Sequence, residues 1–379
     1  MLDPGAAGAI RVLQISHDYE GPFQIICRQF AGAFSNAHVT TLYLRGQENP
    51  SVIEATGGDR DLFLEQPEGS LRGIKFSAIM QLAKIFRQHR YDVVIAHRYK
   101  AIYLAGIMSY FFPIEVLLGV AHEHDVFKRT SRALFVTFFR KNVQLLAVSE
   151  SVRKDIEKCC PSLATQGRVH TLGNAINPAI KSEIRDRDEL RNEMGIAEGV
   201  FCFGTVGRLV AKKDHEVLIN AYASIANAGN CLVVVGTGAR EKELKSLATD
   251  LGIKNQVIFL GQVRNAYRIY SAFDAFVFTS GLKEAFGIVL LEAMLAEVPI
   301  VCSSAAGPKE VIGDTGLIFE VADVDDLSRQ LKAIEMLDSD GRKALTDRAL
   351  KRLSVNYTMN AFTEKLRALP ALKNYGDVM

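Results

Sequence analysis

Short apolar runs alternate with longer helical patterns from one end of the 379 residues to the other, and this alternation constrains the fold more than any other feature. The runs 10–16, 38–44, 92–97, 115–122 and 143–149 fill the first half. The runs 200–207, 231–236, 256–261, 275–280 and 299–303 fill the second. Most are continuously apolar, as strands buried on both faces of a parallel sheet must be, and the helical stretches between them supply the crossovers. Between the two sets lies NPAIKSEIRDRDELRNEMGIAEG (177–199), polar and without a strand pattern, which reads as a linker with the boundary near 176–190. The expectation is an α/β chain of two doubly wound domains, 1–178 and 179–352. Residues 353–379 form a C-terminal helical segment that could pack back on the first domain.

Length agrees with two domains of roughly 100–200 residues each. A hydrophobic fraction of 48% with 23% charged residues describes a well-packed soluble chain. The net charge of +2 argues against a nucleic-acid partner. It is unevenly spread: residues 1–175 hold 20 basic against 16 acidic side chains, and the remainder 25 against 27. The six cysteines show no metal-ligand spacing. Three of them sit in strand-like runs, so a reducing, cytoplasmic setting is expected. MLDPGAAGAI lacks the basic and apolar regions of a secretory signal. Residues 101–121 are long enough to span a membrane, but Pro113 and Glu115 divide them, and a buried helix followed by a buried strand is the better reading.

In doubly wound folds ligands bind beyond the carboxyl ends of strands. After 200–207 come Gly207, Arg208 and Lys213, a glycine turn followed by two cations suited to phosphate oxygens. After 231–236, Gly236 and Gly238 begin a G-x-G-x-x-G pattern, but Glu241 holds its third position. This disfavours a nicotinamide enzyme and leaves an ordinary tight turn. After 275–280 comes GLKEAFGIVLLEAM. Glu284 stands in the loop, Phe286, Gly287 and Ile288 open a helix whose free amides suit a diphosphate, and Glu292 follows over a turn later. Two carboxylates eight positions apart would then bracket the two ends of a nucleotide sugar.

With these residues in view, the chain resembles the retaining glycosyltransferases of family 4. VGRLVAKKD resembles the family's Arg/Lys phosphate loop, with Asp214 in place of the usual Gly. SGLKEAFGIVLLEAM matches its pair of glutamates, AGPKEVI its next loop, and GNAIN (173–177) its step into the donor domain, with Ala175 and Asn177 as departures. The resemblance implies the GT-B architecture of two Rossmann-like domains facing across a cleft, 1–178 on the acceptor side and 179–352 binding the donor. By it, Arg208 and Lys213 bind the donor diphosphate, Glu284 contacts the transferred sugar and Glu292 the ribose. Gly261 and Val263 line the base pocket. No Asp-x-Asp pair in these loops marks a divalent ion, and no cofactor beyond the nucleotide sugar itself, a UDP-sugar, is implied.

On the acceptor side the family places a histidine near the donor sugar. His122 matches best and His124 competes. Gly21, with Pro22, stands where many relatives carry a glycine pair, and His97 either faces the cleft or is structural. The implied reaction is transfer to a saccharide or lipid-linked acceptor, in bacterial polysaccharide or lipopolysaccharide assembly. A UDP-sugar 2-epimerase of the same fold and a non-catalytic nucleotide-sugar-binding partner are the alternatives. Residues 127–141, FKRTSRALFVTFFRK, carry five basic and no acidic side chains among aromatic and aliphatic ones. They read either as a helix lying on an anionic membrane at the inner face of the plasma membrane or as a core-packed helix with a solvated edge.

Overall fold

The computed structural model describes residues 10–67, 69–71, 73, 75–138 and 143–379. They form two units, one of residues up to Asn174 together with Met359–Met379, the other of Ala175–Thr358.

The first unit contains β1 (Arg11–Ser16), β2 (His38–Tyr43), β3 (Arg60–Phe63), β4 (Val93–His97), β5 (Val116–Ala121), β6 (Val143–Ala147) and β7 (Val169–Thr171). They pair in parallel in the order β3-β2-β1-β4-β5-β6-β7. The second contains β8 (Phe201–Val206), β9 (Asn230–Val235), β10 (Val257–Gly261), β11 (Ala275–Phe278), β12 (Ile300–Ser303) and β13 (Leu317–Phe319). Their order is β10-β9-β8-β11-β12-β13, again parallel. Each sheet starts in its middle, grows outward in one direction and then returns to grow in the other. With right-handed crossovers this reversal puts helices on both faces and opens a crevice at the carboxyl ends of the two central strands, β1/β4 and β8/β11.

The ten apolar runs are all strands, buried without a break in β4, β5, β6 and β9. Cys202, Cys231 and Cys302 are packed in β8, β9 and β12 as small hydrophobes. Residues 101–121 divide into most of the helix Arg98–Phe111 and then β5. Among the described residues no helix is long and apolar enough to cross a membrane.

The polar stretch 177–199 is held on the second unit. A 3-10 turn spans Pro178–Glu183, and the helix Arg187–Met194 is capped by the Asp186 carboxylate, which accepts from the amides of Asp188 and Glu189. Arg187 and Arg191 reach Asp274 at 2.6 and 3.3 Å, and the Cys202 amide donates to the same carboxylate at 2.7 Å. In the first unit the helix Met359–Arg367 sets Phe362 edge-on to Phe30 of the helix Phe23–Ala33, 5.1 Å between ring centres.

Candidate functional site

The crevice at β8 and β11 gathers the residues singled out in the second half. Beyond β8 the chain hydrogen-bonds to the loop after β9: Gly207 N donates to Val235 O and Leu209 N to Thr237 O, both at 2.9 Å. Gly236 makes this approach feasible. It sits at φ +132, and a Cβ there would lie 1.9 Å from the Gly207 carbonyl oxygen. The turn that fails as a dinucleotide fingerprint is therefore a backbone-on-backbone seat for the Arg208 loop. The 3-10 turn Ala211–Lys213 follows, and Asp214 adopts φ +50 before the helix His215–Ala223. That left-handed position explains why glycine is usual there.

Lys213 Nζ donates to Glu284 Oε2 at 2.5 Å, with the two side chains only 18% and 15% exposed. Thr279 Oγ1 donates to Lys213 O and Gly281 N to Lys212 O, tying the two strand-end loops together. Burial lowers the Lys213 ammonium pKa, against the pull of Glu284. For Glu284 burial acts upward, but the charge and hydrogen bond of Lys213, with Lys212 adding to them, together hold the carboxyl below its ordinary value. We take the pair as ionised, because both groups keep a charged partner at contact distance. Arg208 is exposed and makes no ion pair among the described residues.

The helix Ile288–Leu295 begins at Gly287, φ +90, with no side-chain cap and no acidic residue in its first turn. Its first amides thus keep donors and partial positive charge for an anion. Phe286 and Gly287 are buried beside it. Glu292 lies within the helix, its Oε2 3.1 Å from the hydroxyl of the fully buried Tyr270. Burial pushes the Glu292 carboxyl up to about 7, against the bond from Tyr270. Gly261 O accepts from Gly236 N at 2.7 Å, so the end of β10 adjoins the same loops, with half-buried Val263 two residues on.

The sequence reading passed over two residues here. Tyr270 gave no signal, being one aromatic in an irregular segment. His215 follows the cation loop directly. It is 4% exposed, burial and then the Lys213 charge bring its pKa to about 4, and its Nδ1 has no partner among the described residues.

In the first unit His97, at the end of β4, and His122, just after β5, meet: His97 Nδ1 lies 3.1 Å from His122 Nε2. Phe30 and Phe23 pack edge-on against the two rings. Burial brings His97 to about 3; for His122, burial and then His97 and Arg98 act in the same direction. The pair is neutral, one ring donating and the other accepting. His124 stands apart, its Nε2 3.4 Å from Ser151 Oγ. Gly21 takes φ +60 in the turn before the helix Phe23–Ala33 and has open space on its Cα.

Two doubly wound units, one with paired cation and carboxylate at its reversal point, are the build of a GT-B glycosyltransferase. A family model described as Glycosyl transferases group 1 matches residues 186–352, and one described as Glycosyltransferase Family 4 matches 26–180. The chain belongs to glycosyltransferase family 4. It is 34% identical over 152 residues to the N-acetylgalactosamine-N,N'-diacetylbacillosaminyl-diphospho-undecaprenol 4-alpha-N-acetylgalactosaminyltransferase of Campylobacter jejuni, covering 39% of this chain and 40% of that one. It is 30% identical over 171 residues to the lipopolysaccharide core biosynthesis glycosyltransferase LpsE of Rhizobium meliloti, covering 45% and 49%. The chain spans about half the length of the curated relatives it matches. Among solved structures, Anabaena Alr3699/HepE in complex with UDP and glucose shares the fold with a TM-score of 0.78. Its identity is 20%, over 95% of this chain and all of that one (100%).

Proposed function

We propose that the protein is a metal-independent, retaining glycosyltransferase. It would move a sugar from a UDP-sugar to a saccharide or lipid-linked saccharide acceptor in cell-surface polysaccharide or lipopolysaccharide assembly. The observation that carries this reading is Lys213 held on Glu284 beside the uncapped start of the helix Ile288–Leu295. As the bond from the anomeric carbon to the β-phosphate oxygen breaks, negative charge grows on the diphosphate. Lys213, Arg208 and the amides at 286–288 neutralise it from fixed positions, without a metal. Glu284 accepts from a hydroxyl of the transferred sugar, Glu292 from the ribose, and the base lies over Gly261–Val263. The acceptor hydroxyl attacks from the face the diphosphate leaves, and its proton passes to the departing phosphate oxygen, so configuration is kept without a separate base. Neutral His122 serves as a hydrogen-bonding group toward the transferred sugar, and Gly21, His97 and His124 are the acceptor-side candidates. The names of the relatives support the pathway class, and UDP in Anabaena Alr3699/HepE supports the donor.

The test is acceptor-dependent release of UDP from a panel of UDP-sugars. Arg208→Ala and Lys213→Ala should each lower turnover by ~10²-fold or more, the scale of losing a fixed electrostatic stabiliser. Near-normal turnover in either variant would overturn the phosphate assignment.

We infer further that the protein works in the cytoplasm and touches an anionic membrane through the helix Thr130–Thr137. Leu134 and Phe138 are 51% and 71% exposed. Phe111 is 74% exposed, next to Tyr110, whose hydroxyl bonds Phe138 O. Lys128 and Arg129 are exposed at the start of this helix, whereas Arg132 turns back over the Tyr99 ring. Arg140 and Lys141 lie outside the described residues. At about 1 kcal/mol per cation, attachment would be reversible and salt-sensitive. Cosedimentation with anionic vesicles should be lost in a Lys128→Gln, Arg129→Gln, Leu134→Ser, Phe138→Ser variant. A wild-type protein that stays in the supernatant at low salt rules the contact out.

A further inference from the structure

The reversal point of the first sheet, between β1 and β4, gathers basic side chains that the reaction above leaves unused. Arg45 follows β2, and its amide donates to His17 O at 2.9 Å, beside the end of β1. Arg98 and Lys100 open the helix Arg98–Phe111 directly after β4, with Arg98 at φ +68. No side chain caps this 14-residue helix and no acidic residue stands in its first turn, so its amides add partial positive charge. Lys75 and Arg132 lie over two neighbouring tyrosines. Lys75 Nζ is 4.1 Å from the centre of the Tyr103 ring, and Arg132 Cζ is 4.4 Å from that of Tyr99. The two rings are 6.3 Å apart.

This is not a fringe of solvated lysines. Lys75 is only 9% exposed, with Nζ donating to Gly73 O at 2.8 Å. Burial lowers its pKa, and the charges of Lys100 and Arg132 act in the same direction. His17, 8% exposed, is brought to about 4 by burial and then by Lys100, with Arg98 and Arg45 adding to it. Among the described residues whose charges act on His17 and Lys75, Asp18 is acidic and Lys100, Arg98, Arg45 and Arg132 are basic; Asp18 lies 3.7 Å from His17 Nε2 and 3.8 Å from the Arg98 guanidinium. Buried His17 Nδ1 and fully buried His97 Nε2 have no partner among the described residues. Like charges collected around a buried lysine destabilise one another, and a bound anion removes that repulsion.

We propose that this reversal point binds a phosphoryl group, with Lys75, Lys100 and Arg132 meeting its oxygens and Arg98 and the first amides of the helix Arg98–Phe111 completing the cradle. The phosphoryl group belongs to the acceptor, which makes the acceptor an anionic substrate. That last step rests on the glycosyl-transfer reading; the anion site does not. Tyr99 and Tyr103 hold two of the cations in place through their ring faces, an arrangement that a neutral sugar would not need. A sugar phosphate and a phospholipid headgroup carry the same chemistry.

The experiment is titration calorimetry of the full chain with inorganic phosphate, in an Arg208→Ala, Lys213→Ala background that removes the second unit's cations. Saturable binding is expected. Lys100→Gln and Arg132→Gln should each weaken it by ~10-fold or more, as the loss of a charged hydrogen bond does. Both positions are half-buried, so the test stands even where Lys75→Gln does not fold. Displacement of phosphate by glucose 6-phosphate, but not by glucose, identifies a sugar phosphate as the source. Displacement by dihexanoylphosphatidic acid identifies a lipid headgroup. The proposal is overturned by absence of saturable binding, by binding indifferent to Lys100→Gln and Arg132→Gln, or by displacement with neither compound. No nucleotide sugar enters the measurement, so failure of the donor reading leaves the anion site standing. A protein that turns over UDP-sugar yet binds no phosphate loses the anion site alone.

Discussion

Glu292 faces two demands that act in opposite directions with pH. Its folded pKa of about 7 lies above the ordinary 4.5, so the folded chain keeps a proton that the unfolded chain has lost. Its contribution to stability therefore falls as pH climbs from about 4.5 to 7. A ribose hydroxyl placed there as proposed, by contrast, is held more strongly by the ionised carboxylate. UDP affinity measured by calorimetry should accordingly rise between pH 6 and 8. Glu292→Gln should flatten that profile and weaken binding at pH 8 by ~10-fold, the worth of a charged hydrogen bond. An unchanged profile in Glu292→Gln would remove Glu292 from the ribose. What sequence made legible at this scale was residue type and order: Arg208, Lys213, Glu284 and Gly287 follow the ends of β8 and β11, and Glu292 lies a turn into the helix after them. It did not reveal the partners that set their charge. Tyr270 reaches Glu292 from 22 positions away and Lys213 reaches Glu284 from 71. Asp214 was read as a departure from glycine, and its φ of +50 shows that it keeps the glycine's backbone while adding a side chain.

Among the elements, the strands that sequence missed share one property. β3, β7 and β13 are four, three and three residues long and stand at the sheet edges. β3 and β13 lie at one edge of each sheet and β7 at the far edge of the first. A short edge strand is covered on fewer sides and need not carry the continuous apolar run by which central strands announce themselves, whereas β10, also at an edge but five residues long, keeps one. The Gly236 turn was legible as a turn but not as a packing device, because its partner, the Gly207 carbonyl, lies in another loop. Gly236→Ala forces a Cβ against that oxygen at a positive φ, and should cost roughly 2 kcal/mol or more. Urea unfolding would measure the loss. Because the displaced loop carries Arg208, turnover should fall further than stability alone explains. Wild-type stability in Gly236→Ala would show that the two loops separate freely.

For the whole molecule, the division into two doubly wound units could be read from the spacing of apolar runs, since each set of five starts a sheet of its own. The sheet order could not, because parallel strands are paired through crossovers whose direction leaves no mark in local sequence. Among the described residues the two reversal points carry different charge arrangements: a paired cation and carboxylate at β8/β11, and Asp18 among several basic side chains at β1/β4. If fixed side chains and amides neutralise the leaving diphosphate, glycosyl transfer should survive excess EDTA unchanged. Loss of turnover on chelation, restored by magnesium or manganese, would assign that charge to an ion instead.

On the proposed donor reading, the Lys213–Glu284 contact makes the second reversal point a coincidence detector. A stray phosphate competes with Glu284 for the Lys213 ammonium, and drawing that cation away weakens the partner of a mostly buried carboxylate, so part of what it gains on one side it forfeits on the other. A sugar hydroxyl alone meets a carboxylate already engaged. Only a molecule that presents phosphate to the ammonium and a hydroxyl to the carboxylate together, at the spacing found within a nucleotide sugar, satisfies both groups at once. On that reading, discrimination between intact donor and its fragments is built into the contact between the two side chains.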